Sequence, residues 1–190
     1  MIEGNTQVLY GGMGRLTESS IVDYKNRSFM VTAELNLPES MEKPAEGVII
    51  AIGGSIGGWS LYAKEGKLKY CYNFFGLQQY YVEGDTIPFG SSKVRMEFVY
   101  DGDGLGKGGS VSLFMGDEKV GQGRVDQTEP SIFSADETCD IGFESGSPVS
   151  EDYDVIKFNG EVNWVEINVS DGEVTPISPE QRLRIAMGIQ

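Results

Sequence analysis

The sequence predicts an all-β fold, a jelly-roll sandwich of two antiparallel sheets with a short C-terminal helix. Three observations predict it. Short runs of alternating apolar and polar residues, bounded by Gly, Pro, Asn and Asp, recur along the chain. Helical periodicity is almost absent before residue 178. Glycine supplies 26 of the 190 residues, which provides for many tight turns. Ten or so short strands with long crossing loops favour a jelly roll over a simple meander.

The first clear strand is Ser28 to Leu37. Phe29, Val31, Ala33, Leu35 and Leu37 point to one side, and Pro38 stops the ladder. Residues 47–52 form a nearly continuous apolar run, the mark of a strand covered on both faces. Two glycine pairs follow at 53–54 and 57–58, and Trp59 to Ala63 resumes a strand. The segment 64–67 reads as a hairpin turn in which Gly66 takes the positive φ. Leu68 to Phe74 returns, Gln78 to Val82 adds a short strand, and Gly84-Asp85 ends it. Val94, Met96, Phe98 and Tyr100 line one face of a strand over 93–100, and a glycine-rich loop spans 101–109. Strands at 111–115 and 119–125 form a hairpin turning at 116–118. A long irregular stretch, 126–154, holds one short strand at Cys139 to Phe143. Ile156 to Val169 alternates weakly around Phe158, Val162, Trp164, Val165 and Ile167. Ser178 is a good N-cap, Pro179 suits the first helical position, and a helix is expected over about 178–189. No repeat or linker divides the chain, so one domain over 1–190 is expected.

Composition narrows the function classes. The formal net charge is −14, so nucleic acid, itself a polyanion, is not an expected partner. Anionic membranes and highly sulfated or phosphorylated ligands are disfavoured for the same reason. The chain has no histidine, which removes the commonest general base and the commonest zinc ligand. Its two cysteines, Cys71 and Cys139, are too few for a cysteine zinc site, and lone buried thiols are expected. Residues 1–6 lack a basic stretch followed by an apolar one, so no signal peptide is expected, and no apolar run reaches membrane-spanning length. The compartment stays open.

Candidate sites are few. Aromatic residues crowd the segment 59–81, and Trp59, Tyr62 and Tyr72 are candidates for a carbohydrate-stacking platform. The same rings also suit a sandwich interior. Asp136 and Asp140 sit in an acidic loop with Glu137 and Glu144, which makes them candidate calcium ligands, although a solvated loop explains the charges equally. No cofactor is required by the sequence, and calcium is the one candidate ion. Asp101 and Asp103 flank glycines, but the spacing of later oxygens fails the EF-hand pattern. Glu97 and Glu166 are carboxylates that a glycosidase would need as a pair, yet no tight Glu-x-Asp-x-x-Glu strand motif occurs.

Several segments resemble known domains. The run beginning Gly47-Val-Ile-Ile-Ala, then Gly57-Gly-Trp-Ser-Leu-Tyr and Glu65-Gly-Lys-Leu-Lys-Tyr, resembles laminin-G-like, concanavalin-type jelly rolls. Phe158-Asn-Gly-Glu-Val-Asn-Trp-Val resembles the closing strand of that family. Gly11-Gly-Met-Gly-Arg-Leu-Thr-Glu, Lys25-Asn-Arg-Ser, Tyr70-Cys-Tyr-Asn-Phe-Phe-Gly-Leu, Phe133-Ser-Ala-Asp-Glu-Thr and the tail from Ile177 are similar to the C-terminal region of long bacterial arylsulfatases. The resemblance implies an accessory module packing on a sulfatase-type catalytic domain, in the same chain or as a partner. It does not carry over catalysis, because neither cysteine stands in a Cys/Ser-x-Pro-x-Arg motif. A non-catalytic accessory domain is therefore the expected function, with a lectin-like carbohydrate-binding module and a glycoside-hydrolysing enzyme as rivals.

Overall fold

The computed structural model describes residues 4–134 and 136–170. The helix expected over 178–189 lies outside the described residues. Among the described residues, twelve strands make two six-stranded antiparallel sheets. The first sheet runs β1 (Thr6–Tyr10), β12 (Glu161–Val169), β3 (Phe29–Leu37), β8 (Gly90–Tyr100), β9 (Lys107–Met115) and β10 (Glu118–Gln127). The second runs β2 (Leu16–Thr17), β11 (Thr138–Ile141), β4 (Gly47–Gly54), β5 (Gly57–Lys64), β6 (Lys67–Phe74) and β7 (Gln78–Thr86). β10 also packs along β7, so that edge of the sandwich is closed.

The interior follows from alternation. In β3 the odd-numbered residues Phe29 to Leu37 are buried and the even-numbered ones are half-exposed. Val94, Met96 and Phe98 of β8 meet them from the next strand. Opposite stands an aromatic group around Trp59, whose ring lies 5.8 Å from Phe29, 5.9 Å from Tyr24 and 6.2 Å from Tyr70.

The second sheet departs from alternation, and β4 is buried at every residue. A strap over 142–158 covers its outer face. Val149 and Tyr153 of the strap pack on Val48, Ala51, Tyr62 and Cys71, a second apolar cluster outside the main core. The strap is held by polar side chains. Glu144 accepts a hydrogen bond from Val149 N at 2.9 Å and from the Tyr153 hydroxyl at 2.8 Å. Asp152 accepts from the Tyr62 hydroxyl at 2.7 Å and forms ion pairs with Lys64 and Lys69, each at 3.0 Å.

Several expected boundaries shift. β1 and β2 precede the first strand anticipated from the sequence, because five residues of pattern exposed-intermediate-exposed-buried-exposed carry too little apolar signal. β7 continues through Gly84-Asp85 to Thr86, because that pair forms a bulge: three steps of β7 from Glu83 to Thr86 face two steps of β6 from Lys69 to Lys67. Lys107 to Gly109 belong to β9 and not to a loop. A Cβ at Gly109 would collide with the Phe98 ring and the Val99 carbonyl, so a glycine permits that pairing. The last strand begins at Glu161, not at 156. The turn at 65–66 has both central residues at positive φ, 52° and 83°, the mirror-image turn suited to a two-residue hairpin. Cys71 and Cys139 are free, buried thiols, and burial pushes the Cys71 thiol up to about 12. No described helix is long and apolar enough to cross a membrane.

Candidate ligand-binding cleft

Of the two readings open for Trp59, Tyr62 and Tyr72, a carbohydrate platform or interior filling, the structure shows the interior one. Trp59 and Tyr62 are 0% exposed and Tyr72 is 4% exposed. Trp59 faces the main core, Tyr62 lies under the strap, and the Tyr72 hydroxyl accepts a hydrogen bond from Glu129 N at 2.8 Å. Alternation turns Tyr62 away from the sandwich interior, and the strap then seals it. None of the three offers a ring face to a sugar.

The two candidate calcium ligands have different roles. Asp140 is buried and its carboxylate is occupied by protein donors: Arg15 N at 2.6 Å, and Ser145 N and the Ser145 hydroxyl at 2.8 Å each. It staples the β1–β2 connection to the start of the strap. Asp136 is exposed, and its amide caps the Ser134 side chain. No group of three or more Asp, Glu, His or Cys residues arranged for a metal occurs among the described residues. Asp101, in the other acidic loop, is held by Arg124 in an ion pair. Glu97 is paired with Arg95 at 2.9 Å, two rungs along the sheet from Glu166's cross-strand partner Thr32, so the two carboxylates do not converge.

A cleft opens elsewhere, where the two sheets part beside β1 and the strap. Its volume is about 420 Å³, within the span of about 300–1,000 Å³ typical of small-molecule sites. Three chain segments form it: 10–12 after β1, 141–143 after β11, and 157–163 leading into β12. Backbone hydrogen bonds knit them together, with Gly12 N donating to Ile141 O at 3.0 Å and Phe158 N to Gly142 O at 3.0 Å. Two glycines let the segments meet. A Cβ at Gly11 would run into the Val162 carbonyl, and Gly142 sits at φ +80°, where side chains are strained. The rim supplies the chemistry. Tyr10 is 61% exposed. Lys157, Glu161 and Asn163 are exposed around it, and the Asn163 amide donates to Glu34 at 3.0 Å.

This set can bind but has few means of catalysis. It offers the exposed ring of Tyr10, the half-buried ring of Phe143, an amide, one ammonium and one carboxylate. Glycoside hydrolysis normally uses two carboxyl groups about 5–9.5 Å apart, and the cleft lining holds one. The sequence reading missed Tyr10 and Asn163. The available signal was a tyrosine set directly before Gly11-Gly12, a place where a ring cannot be covered by its own strand neighbours.

Comparison of the whole fold places it. The CBM40 domain of Ruminococcus gnavus IT-sialidase, in its structure bound to α2,3-sialyllactose, matches with a TM-score of 0.52 at 14% identity over 97% of this chain and 96% of that one. The same domain bound to α2,6-sialyllactose gives 0.51 at 12% identity, with 96% of each chain covered. The LG1-3 region of the laminin α2 chain gives 0.51 at 14% identity, covering 87% of this chain and 31% of that one. The fold is a laminin-G-like jelly roll. At these identities the likeness is one of fold alone. No protein-family model and no curated protein sequence matches the chain. The arylsulfatase likeness is carried by the sequence motifs and by none of these neighbours.

Proposed function

We propose that the chain is a non-catalytic carbohydrate-binding module, and that the cleft beneath Tyr10 is its site. The observation that carries this reading is the pairing of a solvent-facing tyrosine with an open cleft of about 420 Å³ ringed by hydrogen-bonding groups. Sugars present apolar C–H faces to aromatic rings and hydroxyls to amides and charges, and this rim offers both. The jelly-roll fold, shared with a module whose structure is bound to sialyllactose, agrees with it.

The ligand class follows from charge. Lys157 and Glu161 offset one another at the rim, and the chain as a whole carries −14. Nothing concentrates positive charge there, so a neutral glycan is favoured over a sialylated or sulfated one. A glycan array followed by calorimetry tests this. Neutral oligosaccharides are expected to bind, sialyllactose is not, and Tyr10→Ala is expected to weaken binding about tenfold or more, roughly 1.4 kcal/mol. Equal binding by Tyr10→Ala and wild type would move the site away from the cleft.

The arylsulfatase-like motifs add a setting. In it the module packs on a sulfatase-type catalytic domain, within a longer chain or as a separate partner, and brings the enzyme to a glycan. A Cys/Ser-x-Pro-x-Arg motif in the adjoining coding sequence is the expected finding, and its absence removes the sulfatase setting while leaving the glycan site intact.

A further inference from the structure

We infer that the binding surface continues from the cleft onto the outer face of the first sheet, so that the ligand is a chain of sugar rings and not one terminal unit. This rests on the carbohydrate reading above and extends it to a second subsite.

The register supplies the surface. Tyr10 of β1 stands opposite Trp164 of β12, Trp164 opposite Glu34 of β3, and Glu34 opposite Lys93 of β8. Four residues thus form one row across four strands. Three strand spacings of about 4.8 Å make that row about 14 Å long, more than one pyranose ring requires. Its first member, Tyr10, is also a wall of the cleft. A second link joins them, because Asn163 lines the cleft while its amide donates to Glu34 at 3.0 Å.

Trp164 faces outward because of a bulge. Val162 pairs with Leu35 and Trp164 with Glu34, leaving Asn163 as the extra residue. Before the bulge Val162 is buried. After it Val165, Ile167 and Val169 are buried, and Trp164 falls on the solvent side. The bulge thus sets a half-buried indole on that face. It is only loosely attended. The Lys93 ammonium stands 5.4 Å from its ring and is itself mostly exposed, whereas on the next rung Arg95 closes over Phe114 at 4.2 Å. Around Trp164 the Glu34 carboxylate and the Lys93 ammonium lie 3.9 Å apart, giving an acceptor and a donor with no net charge. An aromatic face bordered by balanced polar groups repeats the chemistry of the cleft one step along the sheet.

Calorimetric titration with glucose, xylose, galactose and arabinose and with their di-, tri- and tetrasaccharides separates the outcomes. Wild type is expected to gain about tenfold or more in affinity between one and three units of the sugar it recognises. Trp164→Ala is expected to abolish that gain and keep the single-unit affinity, and Tyr10→Ala to lose both. Glu34→Gln, which keeps the side chain's shape, is expected to reduce the gain and serves should Trp164→Ala fold poorly. If chain length has no effect, or if Trp164→Ala and Glu34→Gln both bind the trisaccharide as wild type does, the extended surface is overturned and the cleft alone stands. If wild type binds none of these sugars, the carbohydrate reading falls and takes the extension with it.

Discussion

Trp59→Ala is expected to destabilise the domain by about 3–5 kcal/mol, the usual cost of removing a large aromatic residue from a packed core. Trp59 is 0% exposed and sits among Tyr24, Phe29 and Tyr70, with Phe29 continuing to Phe98 at 5.4 Å. Deleting the indole removes the centre of that aromatic group and leaves a cavity bounded by both sheets. Domains of this size are stable by about 5–15 kcal/mol, so the variant should lose a large share of its stability and unfold at a markedly lower denaturant concentration. Urea unfolding followed by far-ultraviolet circular dichroism measures the loss. Tyr10→Ala is the informative contrast, because it should leave the midpoint unchanged within about 0.5 kcal/mol. A stable, well-folded Trp59→Ala variant with impaired ligand binding would reverse the assignment, returning Trp59 to a binding role and questioning the packing of the sheets.

That contrast marks where the sequence is informative. β3 and β8 were readable because one face meets the core and the other meets water, so burial and polarity alternate in step. The same logic gives Tyr62 and Cys71 an outward direction and stops there. Whether an outward side chain meets solvent depends on what crosses above it, and the strap over 142–158 has no periodic pattern that announces its path. Its anchors are single polar residues, Glu144 and Asp152, which look like members of a solvated acidic loop until their partners are known. Asp140 was misread for the same reason, since a carboxylate that satisfies backbone amides and one awaiting a cation have the same sequence. The second sheet therefore hides the aromatic residues that sequence reasoning favoured, while the first sheet displays the ones it passed over.

Trp164 is a partial exception, for the parity break beside it was legible although the side on which the extra residue falls was not. Val162 and Trp164 share one parity, while Val165, Ile167 and Val169 share the other. A single strand cannot bury both sets on one face. The parity break requires an extra residue, and a bulge placed between Val162 and Trp164 sends the indole outward. The cleft as a whole had no sign beyond the tyrosine before Gly11-Gly12, because its walls come from three segments more than a hundred residues apart in places.

Raising the pH should weaken the fold, and Glu129→Gln should remove much of that effect. Glu129 is 1% exposed, anchored by Phe75 N at 3.1 Å to one carboxyl oxygen, with the other oxygen buried and without a hydrogen-bond partner. Burial pushes its carboxyl from 4.5 up to about 8, and the nearby Lys25 ammonium only partly opposes this. The folded state thus holds a proton that the unfolded chain releases near 4.5. Stability from this group is fully present below that value, falls as the pH climbs, and levels off above about 8. One proton corresponds to about 1.4 kcal/mol per pH unit, so the loss across the window is on the order of 5 kcal/mol. Glu144 adds a similar fall between 4.5 and about 7, again through burial, which isolates the strap as the part that loosens with it. The carboxylates of Asp152, Asp101 and Glu83 are instead held low, Asp152 by Tyr62, Lys64 and Lys69, Asp101 by Arg124, and Glu83 by Lys67 and Lys69. Their stabilisation is lost only as the pH falls through the low folded values, so it does not mask the effect above pH 5. Glutamine keeps the carbonyl that accepts from Phe75 and carries no titrating proton, so the variant should match wild type near pH 5 and exceed it near pH 9. Denaturant unfolding of both proteins at pH 5, 7 and 9 reads the difference. Parallel stability profiles for the two would mean that Glu129 is ionised in the folded protein, with its second oxygen solvated after all.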